Sequence, residues 1–292
     1  LLCLPFLLIF ISGCGSSSQK KDEPPVYSPL QVLVPEATGK ETIGSSPMIL
    51  DVSNISQGYF IAQSDSSDLT CSLQIISPSG VLYSYFIAPG ESAIVTFTEG
   101  SGDYTITGYQ QVQGDQYAAL YSETVTVQLE NDFLPFLYPN QYVNFTPDSK
   151  ASQLALSLID EDTVDVDALQ QIYDYVVSNL TYDYEKADTV TTGYLPDVDE
   201  TLKTGTGICF DYAALTTAML RSCDIPCKLQ IGYAGDIKHA WIDVYIRSKG
   251  WVNQAVSFKG DTWTLMDPTF DSNSDDKEAI QDYIGDESNY TV

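Results

Sequence analysis

The hydrophobic pattern of the chain changes its period near residue 150, and this change constrains the fold more than any other feature. From about residue 30 to 130, apolar and polar residues alternate in short runs, such as Leu69–Ile75, which a turn-forming Ser-Pro-Ser-Gly follows at 77–80. About seven such runs within about 100 residues are typical of a β-sandwich of Ig-like size. Beyond residue 150 the apolar residues recur at helical spacing, which indicates a second domain of a different class.

The second half of the chain is predicted to contain helices followed by strands. After a crossover segment at 131–147, residues 166–180 predict one helix capped by Asp165, and residues 208–222 predict another. Strand-like runs follow at 227–233, 239–246 and 263–267. Helices followed by strands indicate an α+β domain. The chain therefore divides into a sandwich at 31–147, an α+β domain at 148–275, and an acidic tail at 276–292 that we expect to be solvated.

The charge of the chain excludes several kinds of partner. The 292 residues include 40 acidic and 13 basic side chains, which leaves a net charge of −27. Such a surface repels phosphate backbones and anionic membranes, so we expect no nucleic-acid partner. Long-range steering would favour neutral or basic substrates. The hydrophobic content of 43% is too high for a disordered acidic chain.

The N-terminus reads as a targeting segment. The apolar run at 1–11 is shorter than the roughly 20 residues that span a bilayer, but it has the length of a signal-peptide core. The residues that follow, Ser12-Gly13-Cys14, resemble the bacterial lipoprotein box, in which the cysteine carries lipid. A plain signal peptide is the alternative. Residues 1–14 are then the signal and lipobox, and the polar stretch at 15–30 is a tether. We expect an exported protein on the outer face of the bacterial membrane, with the lipid anchor as its only membrane contact.

Four cysteines remain outside this segment, and their spacing matches no disulfide framework. Cys71 alternates with apolar neighbours and is predicted to lie in the core of the sandwich. Cys223 and Cys227 flank a predicted helix end and read as small buried residues, although a bridge between them is the alternative. Because the chain has a single histidine, a zinc site is poorly supplied, and we expect no metal or cofactor.

Cys209 is the candidate nucleophile. Gly205 and Gly207 precede it, and the predicted helix starts at or next to it. The dipole and free amides of a helix N-terminus stabilise a thiolate, and the same amides, including that of Cys209 itself, can hold an oxyanion. Considered alone, a free cysteine is more often simply buried.

His239 is the candidate general base. In the run 239–246 the even positions are apolar, which places His239 on the predicted polar face with Trp241 and Asp243. Asp243 lies four residues along the strand, about 13 Å away, which is too far to orient the imidazole. Asp267 ends a strand-like run, and a neighbouring strand could bring its carboxylate beside His239. The alternative for Asp267 is a turn residue before Pro268.

Three blocks of sequence resemble the bacterial transglutaminase-like domain. They are Gly-Ile-Cys-Phe-Asp-Tyr-Ala at 207–213, His-Ala-Trp-Ile-Asp-Val at 239–244 and Met-Asp-Pro-Thr-Phe at 266–270. The resemblance covers about residues 150 to 275 and implies a papain-like fold. It also implies Cys209 as nucleophile, His239 as general base and acid, and Asp267 as the group that orients the histidine. Tyr194 is a possible further oxyanion donor, or simply a loop aromatic.

Three functions are compatible with these patterns. The first is a surface-anchored thiol enzyme that forms a thioester from peptide or glutamine amides, with hydrolysis favoured over cross-linking. The second is a non-catalytic binding or adhesion lipoprotein that uses the sandwich for recognition and the second domain as scaffold. The third, a cell-wall amidase acting on peptidoglycan stems, differs from the first only in substrate. The presence of cysteine, histidine and aspartate together favours an enzyme.

Tyrosines of the sandwich form one further candidate site. They could build a sugar-binding face, or they could be amphipathic side chains at the sheet edges, which is the commoner case. The residues concerned are Tyr83, Tyr85, Tyr104, Tyr109 and Tyr117.

Overall fold

The computed structural model describes residues 30–160, 162–191, 193–234, 237–259, 262–265 and 290–291. Within these residues the N-terminal region is built from antiparallel strands and the C-terminal region is α+β, as the change of period predicts. The predicted signal, lipobox and tether, including Cys14, lie outside the described residues except at residue 30.

The N-terminal region forms two four-stranded sheets with the orders β1-β2-β3-β6 and β5-β4-β7-β8. Buried residues of both sheets form one core, because the apolar positions of each strand alternate and face the other sheet. Cys71 lies in this core as predicted. The strands are β1 (Thr42–Ser45), β2 (Met48–Asp51), β3 (Tyr59–Ser64), β4 (Cys71–Ile76), β5 (Leu82–Ile87), β6 (Ser92–Thr96), β7 (Gly102–Gln113) and β8 (Gln116–Val127).

The candidate tyrosines do not form a common face. Tyr83, Tyr85 and Tyr104 are buried in the core of the sandwich. Tyr109 and Tyr117 are instead partly exposed. The less common alternative, a sugar-binding face of five tyrosines, is therefore not formed, because three of its members contribute to the core.

In its described residues the C-terminal region contains five helices and a five-stranded sheet of order β14-β13-β12-β11-β15. Helix α5 is buried along most of its length and lies against β11, β12 and β13. The helices are α1 (Lys150–Leu158), α2 (Asp165–Asn179), α3 (Tyr184–Thr189), α4 (Val198–Thr204) and α5 (Cys209–Ser222). The strands are β9 (Thr181–Tyr182), β10 (Thr206–Gly207), β11 (Cys227–Ala234), β12 (Ile237–Ile246), β13 (Gly250–Lys259), β14 (Thr262–Leu265) and β15 (Tyr290–Thr291).

Three details differ from the sequence-based expectations. Strand β13 was not predicted, and its register against β12 shifts between Ile242 and Val244, which breaks the alternation that identifies a strand. Tyr290 and Thr291, in the tail expected to be solvated, pair with β11. Asp165 does not cap α2 but is its first residue, and its carboxylate accepts hydrogen bonds from Arg247.

The crossover segment covers one face of the C-terminal sheet. Phe133 and Phe136 contact Trp251 of β13, with ring centroids 6.2 Å and 5.2 Å apart. The buried Arg221 of α5 donates 2.8 Å hydrogen bonds to the carbonyls of Tyr138 and Cys227, and burial lowers the pKa of its guanidinium to about 10. These contacts fix the sandwich beside the α+β region.

Cys71, Cys209, Cys223 and Cys227 are all reduced. Cys223 and Cys227 are buried, and burial raises the pKa of each thiol to about 12. They are therefore small buried residues, as expected, and the alternative of a bridge between them is not realised. Among the described residues, no helix is both long and apolar enough to cross a membrane.

Candidate active site

Cys209 is the first residue of α5 and opens onto a cavity of about 520 Å³. The thiol is partly exposed, whereas the other three cysteines are buried. Residues of both regions line the cavity, including Ser84 and Phe86 of β5 and Ile231 and Ala240 of the C-terminal sheet. A nucleophile at a helix N-terminus, beside a cavity large enough for a ligand, is the arrangement that the sequence predicts for Cys209.

The chain before Cys209 is held by a short parallel pairing. The backbone N–H groups of Thr181 and Asp183 donate to the carbonyls of Gly205 and Gly207, at 2.8 Å and 2.9 Å. Gly205 ends α4 with a left-handed φ of 64°. A side chain at Gly207 would meet the Cβ of Asp211 at 2.7 Å, so this position requires the close approach that glycine allows.

Asp211 is fully buried and anchors the start of α5. One carboxylate oxygen accepts from the backbone N–H of Ile208 at 2.8 Å and from the ammonium of Lys186 at 2.7 Å. The other accepts from the Tyr194 hydroxyl. Lys186 also lies 4.5 Å from the centroid of the Tyr194 ring. Asp211 therefore has a structural role, and Lys186 compensates a negative charge that would otherwise oppose a thiolate at Cys209.

Tyr194 lines the cavity, but its hydroxyl proton is donated to Asp211. Burial, reinforced by this hydrogen bond and the negative charge of Asp211, raises the pKa of Tyr194. Since a phenol has one proton to donate, the geometry does not support the prediction that Tyr194 is an oxyanion donor.

Tyr182 is a site residue that the sequence reasoning missed. It lines the cavity with Cys209, and the backbone amide of Cys209 lies near enough to its phenol oxygen to act on the pKa of the phenol. Burial, with the negative charge of a Cys209 thiolate as the next cause, raises its pKa to about 12, so the phenol stays protonated at neutral pH. The pairing of β9 with β10 brings Tyr182 to Cys209 across 27 residues of sequence.

His239 lies on β12, where its backbone pairs with Gly232 of β11. The next residue, Ala240, is buried and lines the same cavity as Cys209. The position of His239 in the sheet therefore adjoins the cavity, while its side chain lies outside the described residues.

Asp267 lies outside the described residues, and β14 ends two positions before it, at Leu265. In the sheet, β13 separates β14 from β12, so the two strands are about 10 Å apart rather than adjacent. A contact between Asp267 and His239 would require the chain beyond Leu265 to leave the line of β14. The third member of the predicted triad thus remains a prediction.

The face of β12 that carries Trp241 and Asp243 was expected to be polar, but both residues are buried. Gln230 of β11 donates to the Asp243 carboxylate at 3.0 Å. The ammonium of Lys228 lies 4.2 Å from the ring of Trp251. The crossover segment covers this face, because its aromatic residues pack on β13 beside β12.

No group of three acidic, cysteine or histidine side chains in the described part of the chain is arranged to hold a metal ion. The described residues that line the cavity are also without charged side chains. What the site offers chemically is a thiol at a helix N-terminus, backbone amides, phenols and a largely apolar wall.

Residues 152–268 match the family model of the transglutaminase-like superfamily. Two solved structures are similar to this chain. A candidate cysteine protease from Cytophaga hutchinsonii is 18% identical, with a TM-score of 0.36, over 75% of this chain and 78% of its own length. A candidate protease from Parabacteroides distasonis is 15% identical, with a TM-score of 0.30, over 68% of this chain and 42% of its own length. No curated protein sequence matches the chain.

Proposed function

We propose that this chain, which carries a transglutaminase-like domain at residues 152–268, is a cysteine-nucleophile hydrolase of amide bonds. The observation that carries the proposal is the position of Cys209, at the N-terminus of a buried helix and open to a cavity that Ala240, the neighbour of His239, also lines. In the proposed triad Cys209 is the nucleophile, His239 the general base and acid, and Asp267 the orienting group.

The reaction would proceed through a thioester. The Cys209 thiolate attacks the carbonyl carbon, and the oxygen takes the negative charge. As the C–N bond breaks, His239 gives its proton to the leaving amine, and the acyl group remains on sulfur. His239 then takes a proton from water, which attacks the thioester and releases the carboxylic acid and the thiolate.

Tyr182 and the Cys209 amide are the proposed oxyanion-binding pair. The amide of Cys209 lies near the phenol oxygen of Tyr182 and acts to lower the pKa of the phenol. A substrate carbonyl oxygen held beside both groups would accept from the Cys209 amide, and the phenol, protonated at neutral pH, could donate to it as well. Two donors directed at one oxygen are the usual arrangement for stabilising a tetrahedral intermediate.

Hydrolysis is preferred to cross-linking because Cys209 is partly exposed, so water can reach a thioester there. The N-terminal sequence favours a lipid-anchored protein outside a bacterial cell. The sandwich is proposed to be Ig-like, which its size and the pairing of β3 with β6, of β4 with β7 and of β7 with β8 support.

The proposal predicts an acyl-enzyme on one cysteine. We expect p-nitrophenyl acetate to release one equivalent of nitrophenolate in a rapid phase and to leave one acetyl group on Cys209. Intact mass spectrometry after quenching in acid, with peptide mapping, measures this group. Adding glycine ethyl ester during turnover distinguishes hydrolysis of the thioester from transfer of the acyl group to an amine. Acetate as the main product would indicate hydrolysis, and acetylated glycine ethyl ester would indicate transamidation.

The matched control is Cys209→Ala, which should acquire no acetyl group and show no rapid phase. Acetylation confined to lysine or tyrosine residues, equal in both proteins, would contradict the proposed function.

A further inference from the structure

The cavity beside Cys209 has one wall that belongs to the sandwich. Strand β5 is at the edge of its sheet, and Leu82, Ser84 and Phe86 of this strand line the cavity. The catalytic domain therefore does not enclose the cavity alone. A ligand that enters the cavity on the side of the sandwich would lie along β5, which is an edge strand.

Among the described residues, the outer edge of β5 offers backbone donors that no other group accepts from. The carbonyls of Ser84 and Phe86 accept from the Tyr142 hydroxyl at 2.9 Å and the Gln141 amide at 2.6 Å, both outside the sheet. In an antiparallel strand the N–H and C=O of one residue point to the same side, so the N–H groups of Ser84 and Phe86 also point away from β4. No described residue accepts from these two N–H groups. Each carbonyl retains a second lone pair.

This edge is close to the nucleophile. Tyr142, which bonds to the carbonyl of Ser84, has its ring centroid 6.4 Å from that of Phe210, the residue after Cys209. Two neighbouring side chains, Tyr142 and Phe210, thus link the edge of β5 to the start of α5. A chain lying along β5 would be within reach of the thiol.

The surface around the edge is apolar and exposed. Leu82 and Phe86 are 52% and 45% exposed, and Ile76, directly opposite Leu82 on β4, is 47% exposed. In a chain with a net charge of −27, the described lining of the cavity is without charged residues. The local surface therefore favours neutral, apolar side chains, whatever long-range steering the net charge provides.

We infer that the substrate is an extended, apolar segment of polypeptide that adds a strand to the edge of β5 and presents a carbonyl to Cys209. This inference rests on the proposed function and specifies its substrate class. Main-chain hydrogen bonds to Ser84 and Phe86 would supply affinity, and apolar side chains would pack on Leu82 and Phe86. Charged cell-wall stem peptides fit this lining less well.

The test compares a peptide with an ester that is too small to span the edge. The full chain is assayed on oxidised insulin B chain, an extended peptide rich in apolar residues, and on p-nitrophenyl acetate. We expect Ser84→Pro, which removes one outward N–H without breaking the ladder to β4, to lower the ratio of kcat/KM for the peptide to that for the ester by about fivefold to tenfold. We expect Phe86→Glu to lower the ratio similarly.

Two variants control for other causes. Val112→Glu places the same charge at an exposed apolar residue of β7 outside the cavity lining and should leave the ratio unchanged. Ser84→Ala keeps the backbone donor, so a loss as large as that of Ser84→Pro would assign the effect to the hydroxyl and overturn main-chain docking. A thermal unfolding curve for each variant shows whether the sandwich is intact.

The outcomes separate the inference from the proposed function. If the protein hydrolyses the ester but not the peptide, or if Ser84→Pro and Phe86→Glu keep the ratio, the docking inference fails and the proposed function stands. If neither probe reacts, the proposed function fails, and binding of fluorescein-labelled B chain to Cys209→Ala decides the docking inference. Binding weakened by Ser84→Pro would support it, and absent or unchanged binding would overturn it.

Discussion

Replacing Cys209 with alanine is expected to lower kcat/KM for ester and peptide hydrolysis by at least about 1,000-fold. The variant removes the only described thiol that is partly exposed and lies at the cavity. What remains would be hydrolysis by water assisted by the oxyanion donors. Initial rates over a range of substrate concentrations measure the loss.

The control for this prediction is Cys223→Ala. Cys223 is buried at the other end of α5, and burial raises the pKa of its thiol to about 12, so it is not a nucleophile at neutral pH. We expect this variant to keep the activity and to lose only stability, as a small cavity would cause. Activity within tenfold of the unmodified protein in Cys209→Ala would show that another group performs the reaction.

Replacing Lys186 with methionine is expected to cost about 2–4 kcal/mol of folding free energy. Asp211 is fully buried, and Lys186 is its cationic partner at 2.7 Å, so the variant leaves a buried carboxylate without a compensating charge. The expected loss of folding free energy is smaller than for a fully buried ion pair because the Lys186 side chain is 30% exposed. Urea denaturation followed by tyrosine and tryptophan fluorescence measures the loss.

The double variant Lys186→Met, Asp211→Asn separates the charge from the packing. The asparagine carbonyl can still accept from the Ile208 amide, and no buried charge remains, so we expect the double variant to be more stable than Lys186→Met alone by at least about 1 kcal/mol. If the double variant instead loses as much stability as Lys186→Met and Asp211→Asn together, Lys186 does not stabilise the fold by compensating the charge of Asp211.

The sequence predicted the elements whose signal is local. The period-two runs identified most strands of the sandwich, although β1 and most of β8 were missed, and the helical spacing at 208–222 identified α5 to within one residue. Cys209 could be placed at a helix N-terminus because Gly205 and Gly207 mark where the chain turns. In each case the information lies within one element, where the periodicity of the backbone fixes which side chains share a face.

The features that were missed depend on contacts between distant segments. Lys186 and Tyr194 meet Asp211 from 25 and 17 residues away, and neither shows in its own sequence that it has a buried partner. The alternation at 239–246 predicted a polar face with Trp241 and Asp243, but the crossover segment covers this face. A polar residue such as Asp243 is tolerated there because Gln230 donates to it.

The most direct test of the account is the pH dependence of Cys209 alkylation by iodoacetamide, with peptide mapping, in the unmodified full chain and in His239→Ala. Cys223 and Cys227 serve as internal controls, since burial raises the pKa of each to about 12 and keeps both unreactive at neutral pH. We predict that Cys209 is alkylated well below the ordinary thiol pKa of about 8.5 and that His239→Ala removes this advantage. Alkylation of Cys209 only near pH 8.5 in both proteins would contradict the pairing of Cys209 with His239.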